Sequence, residues 1–186
     1  GKLRKVHHMV LLPSIEDAME IKKVLEKFGN FEDGRPTLNI SAEEFVRIVV
    51  DNCREAVIFP AHAWTPWYGV FGSKSGFDSL KEAYGETERY IRAIETGLSS
   101  DPEMNWTKKE LENRTILSFS DAHSFWPHRL GRELTVFDAQ EGFRSLRKAI
   151  LENRVIYTIE VDPAYGKYHF DGHRKCGVCL SPEEAE

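Results

Sequence analysis

The sequence predicts an α/β domain in which strands and helices alternate about a parallel sheet or barrel. Short β-branched apolar runs recur along the chain, and capped amphipathic segments lie between them. The composition, 41% hydrophobic and 30% charged, is that of an ordinary globular protein. With 186 residues there is enough chain for one domain with a real core and too little for two full-sized ones.

The first strand is predicted over Lys5 to Leu12 and closed by Pro13. Ser14 and Asp17 then have the spacing of a capping box, and Ile15, Met19, Ile21, Val24, Leu25 and Phe28 recur at helical intervals until Gly29. After a polar, turn-rich stretch, Ser41 with Glu44 starts a second helix through about Cys53, carrying Phe45, Ile48 and Val49. Ala56 to Pro60 reads as a short buried strand, and a helix is expected from about Phe77 to Tyr84. Further strands are expected at Tyr90 to Glu95 and Thr115 to Ser120, with a short helix around Trp106 to Leu111 between them. Asp138 is expected to cap a helix reaching Asn153, and Val155 to Val161 to be a strand, with Tyr168 to Phe170 as a hairpin partner. The composition changes near residue 162, where Asp-Pro leads into a His/Cys-rich tail; this places a boundary between 1–162 and 163–186.

The formal net charge of −5 argues against non-specific nucleic-acid binding by the whole surface, and leaves a local basic groove open. No apolar run approaches the roughly 20 residues of a membrane span, and no signal peptide is visible. A cytoplasmic protein with no membrane partner is expected. The chain starts without Met, enters a strand almost at once, and stops just after a Cys-x-x-Cys, so it reads as a fragment.

The sharpest chemical signal is Ser120-Asp121-Ala122-His123, directly after a predicted strand. Residues i and i+2 of an extended segment point to one side, so Asp121 and His123 offer a carboxylate and an imidazole to a common point. In parallel α/β folds the carboxyl ends of strands are where catalytic groups gather. The plain alternative is a capping Asp beside a surface His. His62 follows the strand Ala56 to Pro60 in the same way, and His8 sits in the first strand with His7 beside it. His7 and His8 point to opposite faces, so at most one serves a single site. Imidazole and carboxylate donors suit zinc, manganese or iron. Glu95 is a further possible donor. Of three cysteines, Cys53 ends an amphipathic helix and reads as core, while Cys176 and Cys179 have metal-ligand spacing.

Val-His8-Met-Val-Leu-Leu, Pro60-Ala-His62 and Ser-Asp121-Ala-His123 fall in the order of the later metal motifs of polymerase and histidinol phosphatase (PHP) domains. More specifically, residues 61–80, 93–106 and 118–133 resemble the archaeal and bacterial endonuclease Q group. The resemblance implies the carboxy-terminal portion of a distorted (β/α)7 barrel of PHP type, followed by the start of a small Cys-rich zinc module. It implies a metal-dependent phosphodiesterase, a DNA-repair endonuclease nicking 5′ to deaminated bases or abasic sites, with such DNA as partner. It implies divalent metal ions (zinc, manganese or magnesium) held by His8, His62, Asp121 and His123, with Asp121 and His123 catalytic. A structural zinc would sit on four cysteines, of which Cys176 and Cys179 match the first pair. The family's His-x-His and an early acidic residue would lie upstream of Gly1, and without them the full metal cluster cannot form.

Between Trp64 and Phe77 lie five aromatic residues and three glycines, just after a candidate ligand. Glycines let backbone approach a ligand closely, and aromatic faces stack on bases at about 1–3 kcal/mol each. Trp67, Tyr68 and Phe71, with Ser99 and its neighbours, are therefore candidates to hold a damaged base taken out of the stack. Lys74, His128, Arg129 and Arg132 are candidates for phosphate contact, against the plain alternative of a solvated surface. Two other functions remain open at this stage: a PHP phosphoesterase acting on a small phosphorylated metabolite, and a non-catalytic module that binds DNA or a partner.

Overall fold

The computed structural model describes residues 4–32, 34–166, 168, 170–173 and 175–185. It is a mixed α/β structure. Strand β1 (His8–Leu11) leads into α1 (Ile15–Leu25), where Ser14 Oγ accepts from the Asp17 amide at 3.0 Å and donates to its carboxylate at 2.6 Å. The helix tightens into a 3₁₀ turn at Glu26–Phe28. Gly29 follows with extended backbone; it admits a close approach, since a Cβ there would meet the Thr37 carbonyl at 2.3 Å. Helix α2 (Ala42–Asn52) is capped by Ser41, whose hydroxyl accepts from Glu44 N at 3.1 Å.

Strand β2 (Val57–Pro60) pairs antiparallel with β1, His8 opposite Pro60 and Leu11 opposite Val57. Strands β3 (Ala93–Glu95) and β4 (Thr115–Leu117) pair in parallel, and a parallel bridge between Ile58 and Ile91 joins β2 to β3. Helix α3 (Leu80–Tyr84), a 3₁₀ segment at Gly85–Tyr90, helix α4 (Pro102–Trp106) and a 3₁₀ turn at Lys109–Leu111 fill the connections.

Alternation along the strands separates two apolar layers. Ile58, Ile94 and Ile116 face a core built with Ile21, Leu25, Val46, Val49, Leu80 and Tyr84 from α1, α2 and α3. Val57, Phe59, Ala93 and Leu117 face the opposite way and pack on Ile150 of α5 (Phe143–Leu151). A sheet buried on both faces explains why these strands read as continuous apolar runs.

Several sequence expectations change. The sheet is not wholly parallel, because β1 runs against β2. The strands of the described residues pair two by two and do not close a barrel. The sequence reading missed β5 (Leu134–Phe137), the antiparallel partner of β6 (Val155–Ile159) in the place expected for Tyr168 to Phe170. Thr135 attaches this pair to the end of β4: its hydroxyl accepts from Ser118 N at 2.8 Å and donates to Ser118 O at 2.9 Å. Asp138 does not cap α5. It is occupied by Arg154, side chain to side chain at 2.5 Å, and the helix starts after Gly142, whose φ of 109° breaks the chain direction. The residue-162 boundary falls on a 3₁₀ turn at Pro163–Tyr165. Beyond it, β7 (Asp171–His173) and β8 (Val178–Leu180) form a hairpin, and a helical turn α6 (Pro182–Ala185) follows. No helix among the described residues is long and apolar enough to cross a membrane.

Candidate active site

The carboxyl ends of the parallel strands β2, β3 and β4 share one edge, and His62, Glu95 and Asp121 lie at or just beyond them. The antiparallel β1 brings its amino end to the same edge. The residue placed there is His7, not His8. His7 Nδ1 lies 3.1 Å from His62 Nε2, and its ring stacks on Tyr68 at 4.5 Å and 9°.

Parity sets the choice. His8 shares its face with Val10, which packs on the helix-covered core. Its ring meets Phe45 at 5.0 Å and its Nε2 shares a 2.9 Å hydrogen bond with Tyr84 Oη. Burial drives the His8 pKa down to about 4. The structure therefore sets the ring of His7, and not that of His8, beside His62. His7 takes that position, and His8 is a core residue.

The His62 turn is tightly determined. His62 adopts a φ of 34°, its backbone N–H donates to Glu95 Oε2 at 2.9 Å, and Ala63 N donates to the Glu95 carbonyl at 2.9 Å. Gly97, at φ 65°, lies directly against it: a Cβ on Gly97 would come within 2.6 Å of His62 Cβ and 2.7 Å of its Cα. Asp121 adopts a φ of 42°, and its Oδ1 meets His123 Nε2 at 3.2 Å, so these two side chains converge.

Electrostatically His7, His62, Glu95, Asp121 and His123 form one neighbourhood. Burial lowers the pKa of both His7 and His62; for His62 the Asp121 carboxylate opposes this. Both imidazoles are thus neutral at pH 7, with lone pairs available. Burial, with the charges of Asp121 and Glu133 behind it, pushes Glu95 up to about 7 against the stabilising His62 amide. A group poised near neutrality at a strand edge is suited to proton transfer.

The donor set also fits a cation in kind. His62 Nδ1 is buried without a hydrogen-bond partner. On the other side of that ring, the 3.1 Å between His62 Nε2 and His7 Nδ1 is close to the roughly 3.3 Å edge of a tetrahedron with bonds of about 2.0–2.1 Å, so a cation held by both histidines would use Nε2 and not the orphaned Nδ1. Among the described residues, however, no group of three or more His, Cys, Asp or Glu side chains closes on one point. Asp121 and His123 are paired with each other and half exposed.

The aromatic and glycine loop is built mainly for its own packing. Gly69, Gly72 and Gly76 each face backbone at 2.3–2.5 Å from where a Cβ would stand, so their smallness serves the loop and not a ligand. Phe71 is buried against Trp64 at 4.8 Å, under Lys108, which corrects its assignment to an open base pocket. Trp64 Nε1 donates to Asn105 at 2.8 Å, and buried Asn105 donates to Ser100 Oγ, so this loop and residues 97–105 are one unit in which Ser99 is also buried. Tyr68 remains at the site through its stack on His7. Trp67 is 56% exposed, and Lys74 and Arg129 are exposed. Cys176 lies in the turn of the β7–β8 hairpin and Cys179 within β8, and both are exposed.

A second acidic group, which sequence reasoning did not single out, lies along the same edge. Buried Glu133 accepts from Val161 N at 3.2 Å and from Ser118 Oγ at 3.3 Å, and the same hydroxyl lies 3.0 Å from Glu160. Burial raises both carboxyls, Glu133 to about 7.

No family model matches the chain. An uncharacterized protein of Methanocaldococcus jannaschii is 35% identical over 131 residues, 67% of this chain and 16% of that protein. An uncharacterized Bacillus subtilis protein is 26% identical over 182 residues, 92% of this chain and 44% of that protein. The crystal structure of the lesion-specific endonuclease Q of Pyrococcus furiosus superposes with a TM-score of 0.83 at 34% identity, covering 97% of this chain and 45% of that one. A structure of endonuclease Q with a 27-mer duplex substrate, an abasic lesion at its active site, gives a TM-score of 0.82 at 34% identity, covering 98% and 46%. The chain thus spans less than half the length of each of these proteins, and it has an endonuclease Q-like fold.

Proposed function

We propose that this chain is the catalytic-edge portion of a metal-dependent DNA-repair endonuclease that nicks duplex DNA 5′ to deaminated bases or abasic sites. The observation that carries this reading is the match of nearly the whole chain to endonuclease Q, which has been captured on a duplex with an abasic lesion. The site is consistent with it: the strand edge that gathers His7, His62, Asp121 and His123 is where such folds do chemistry. On this reading the strands belong to a PHP-type barrel completed by chain outside 1–162, and residues 163–186 begin a zinc module on Cys176 and Cys179.

His7, His62, Asp121 and His123 would hold divalent metal, zinc, manganese or magnesium. When bound, it supplies Lewis acidity toward a phosphoryl oxygen and acidifies water. The chain's own groups do the rest. His7 and His62 are kept neutral by burial, as ligands must be. Glu95 holds the His62 turn by its amide and, near-neutral in pKa, can take up a proton. Asp121, turned outward in a left-handed conformation, orients the attacking water or takes its proton. Tyr68, stacked on His7, and the exposed Trp67 beside it in the chain would offer aromatic faces to an unstacked base, while the exposed Lys74 and Arg129 would contact phosphate.

The test is metal content and nicking by the full-length protein and by Asp121→Ala, on duplexes bearing one uracil, hypoxanthine or abasic site. A 5′ nick lost in the variant supports the reading. Bound metal without nicking on any duplex would replace it with a phosphoesterase of small molecules, and DNA binding without metal or nicking would leave a binding module.

A further inference from the structure

The loop 124–132 carries an exposed aromatic pair that packing does not use. Phe125 is 80% exposed and Trp126 57% exposed, and their rings stack on each other at 5.5 Å between centroids and 23° between planes. Exposed single aromatics are common, but two large rings stacked in solvent on one loop are not explained by the core. They begin two residues after His123 in the chain, on the loop that leaves the candidate site.

The loop under them is structured. Arg132 Nε donates to Ser120 O at 2.9 Å and closes the base of the loop beside Asp121. The Trp126 carbonyl accepts from Arg129 N at 2.8 Å and from Leu130 N at 3.3 Å, forming a turn that supports the tip. Gly131, at φ 66°, directs the chain back toward Glu133, which is buried. Arg129 and His128 are exposed on the same turn. The loop therefore offers a flat apolar slab held from below, with a cation at its shoulder.

From this geometry we infer that Phe125 and Trp126 form a stacking wedge for duplex DNA, filling the space in the helix beside a lesion nucleotide drawn into the site, with Arg129 on the flanking phosphate. The inference rests on the endonuclease reading above and adds the element that stabilises the opened duplex. An enzyme acting on one nucleotide of a duplex must unstack it, and apolar side chains inserted at a base step stabilise that opened state. A stacked pair of rings matches the face of a base pair, and its other contacts need no sequence preference. The ring on the outside of the pair meets the DNA, and the second ring stiffens it.

The experiment uses the full-length protein and two duplexes with the same uracil, one paired opposite guanine and one in an unpaired bubble. The double variant Phe125→Ala/Trp126→Ala should nick the paired lesion about ten- to a hundredfold more slowly, and the bubble lesion within about threefold of wild type. Trp126→Phe, which keeps a flat face, should recover most of the loss. A fluorescent base analogue next to the lesion should brighten on binding of wild type and stay quenched with the double variant. Because both rings are exposed, the thermal midpoint should not change. Equal losses on both duplexes, or none, would overturn the wedge while leaving the endonuclease reading intact. A lower midpoint with equal losses would make the pair a contact to another part of the protein. If wild type nicked neither duplex, the underlying reading would fail, and the wedge with it.

Discussion

Substituting Gly97 by alanine tests the geometry of the His62 turn directly. Two terms add. The backbone at φ 65° disfavours any residue with a Cβ, by about 1–2 kcal/mol. The new Cβ would also stand 2.6 Å from His62 Cβ and 2.7 Å from its Cα, and ordinary contact begins at 3.4 Å, so the two segments must part by about 0.8 Å. The obstacle is partly backbone and cannot swing away, and such overpacking costs about 1–3 kcal/mol. Together the substitution should destabilise by about 2–5 kcal/mol, a fall in thermal midpoint of roughly 5–15 °C for a chain of this size. His62 is the segment that must move, and displacing a reacting group by about 1 Å typically lowers rate on the order of a hundredfold. Gly34→Ala is the control: φ is 69° but nothing lies within 4 Å of its Cβ, so it carries the backbone term alone. Thermal melts and nicking rates of both variants decide the matter. If Gly97→Ala behaves like Gly34→Ala in both, Gly97 does not position His62 and the argument for a determined turn is wrong.

The two adjacent histidines should separate cleanly. His8→Ala removes a packed ring and leaves Tyr84 Oη unpartnered, so it should lower stability by about 1–3 kcal/mol, read by urea titration. His7→Ala should leave stability nearly unchanged and abolish metal uptake and nicking; the reverse pattern would restore His8 as the ligand. Trp67→Ala should relax discrimination between uracil and thymine at unchanged midpoint, whereas Phe71→Ala should cost about 3–5 kcal/mol of stability, because Phe71 is buried. Glu133 has its folded pKa raised to about 7, above the ordinary carboxyl value near 4.5. Between pH 4.5 and 7 the folded state therefore holds more protons than the unfolded, and stability is lost as pH rises through that window. Glu133→Gln should remove that loss, gaining on wild type by on the order of 1–3 kcal/mol at pH 8 compared with pH 5 in urea titrations; a constant difference would refute the burial argument. Cys176→Ser should lower the zinc content of the full-length protein by about one equivalent, measured by elemental analysis. Unchanged zinc would end the structural-zinc reading.

The parts of the fold legible in the sequence are those set by local chemistry. Ser14 and Ser41 cap where the spacing places them, and the apolar runs at Val57–Pro60, Ala93–Glu95 and Thr115–Leu117 are strands buried on both faces. The misses are set by partners far along the chain. Asp138 has the right residue type for a helix cap, but Arg154, brought alongside by the β5–β6 pairing, takes its carboxylate. Strand β5 is four residues long and half-buried throughout, so neither periodicity nor composition marks it. The direction of β1 is not visible either, because an apolar strand buried in a sheet reads the same parallel or antiparallel.

That last ambiguity decides the site. A parallel β1 would have brought Leu11 and Leu12 to the edge where His62 and Glu95 lie. The antiparallel strand turns its amino end there instead, and the residue just before His8 becomes the neighbour of His62. Alternation says only that His7 and His8 face opposite ways. Which face is core follows from Phe45 and Tyr84, residues of α2 and α3 whose contact with His8 exists only once the helices have packed. Asp121 and His123 do meet each other at 3.2 Å, but through the left-handed backbone of Asp121 beyond the end of β4, and not through the extended alternation that the sequence suggests. The same logic accounts for the aromatic loop. Its composition announced rings and glycines, but which ring faces the core is set by long-range packing: Trp64 bonds Asn105 across 41 residues and lies against buried Phe71, while Trp67 stays exposed.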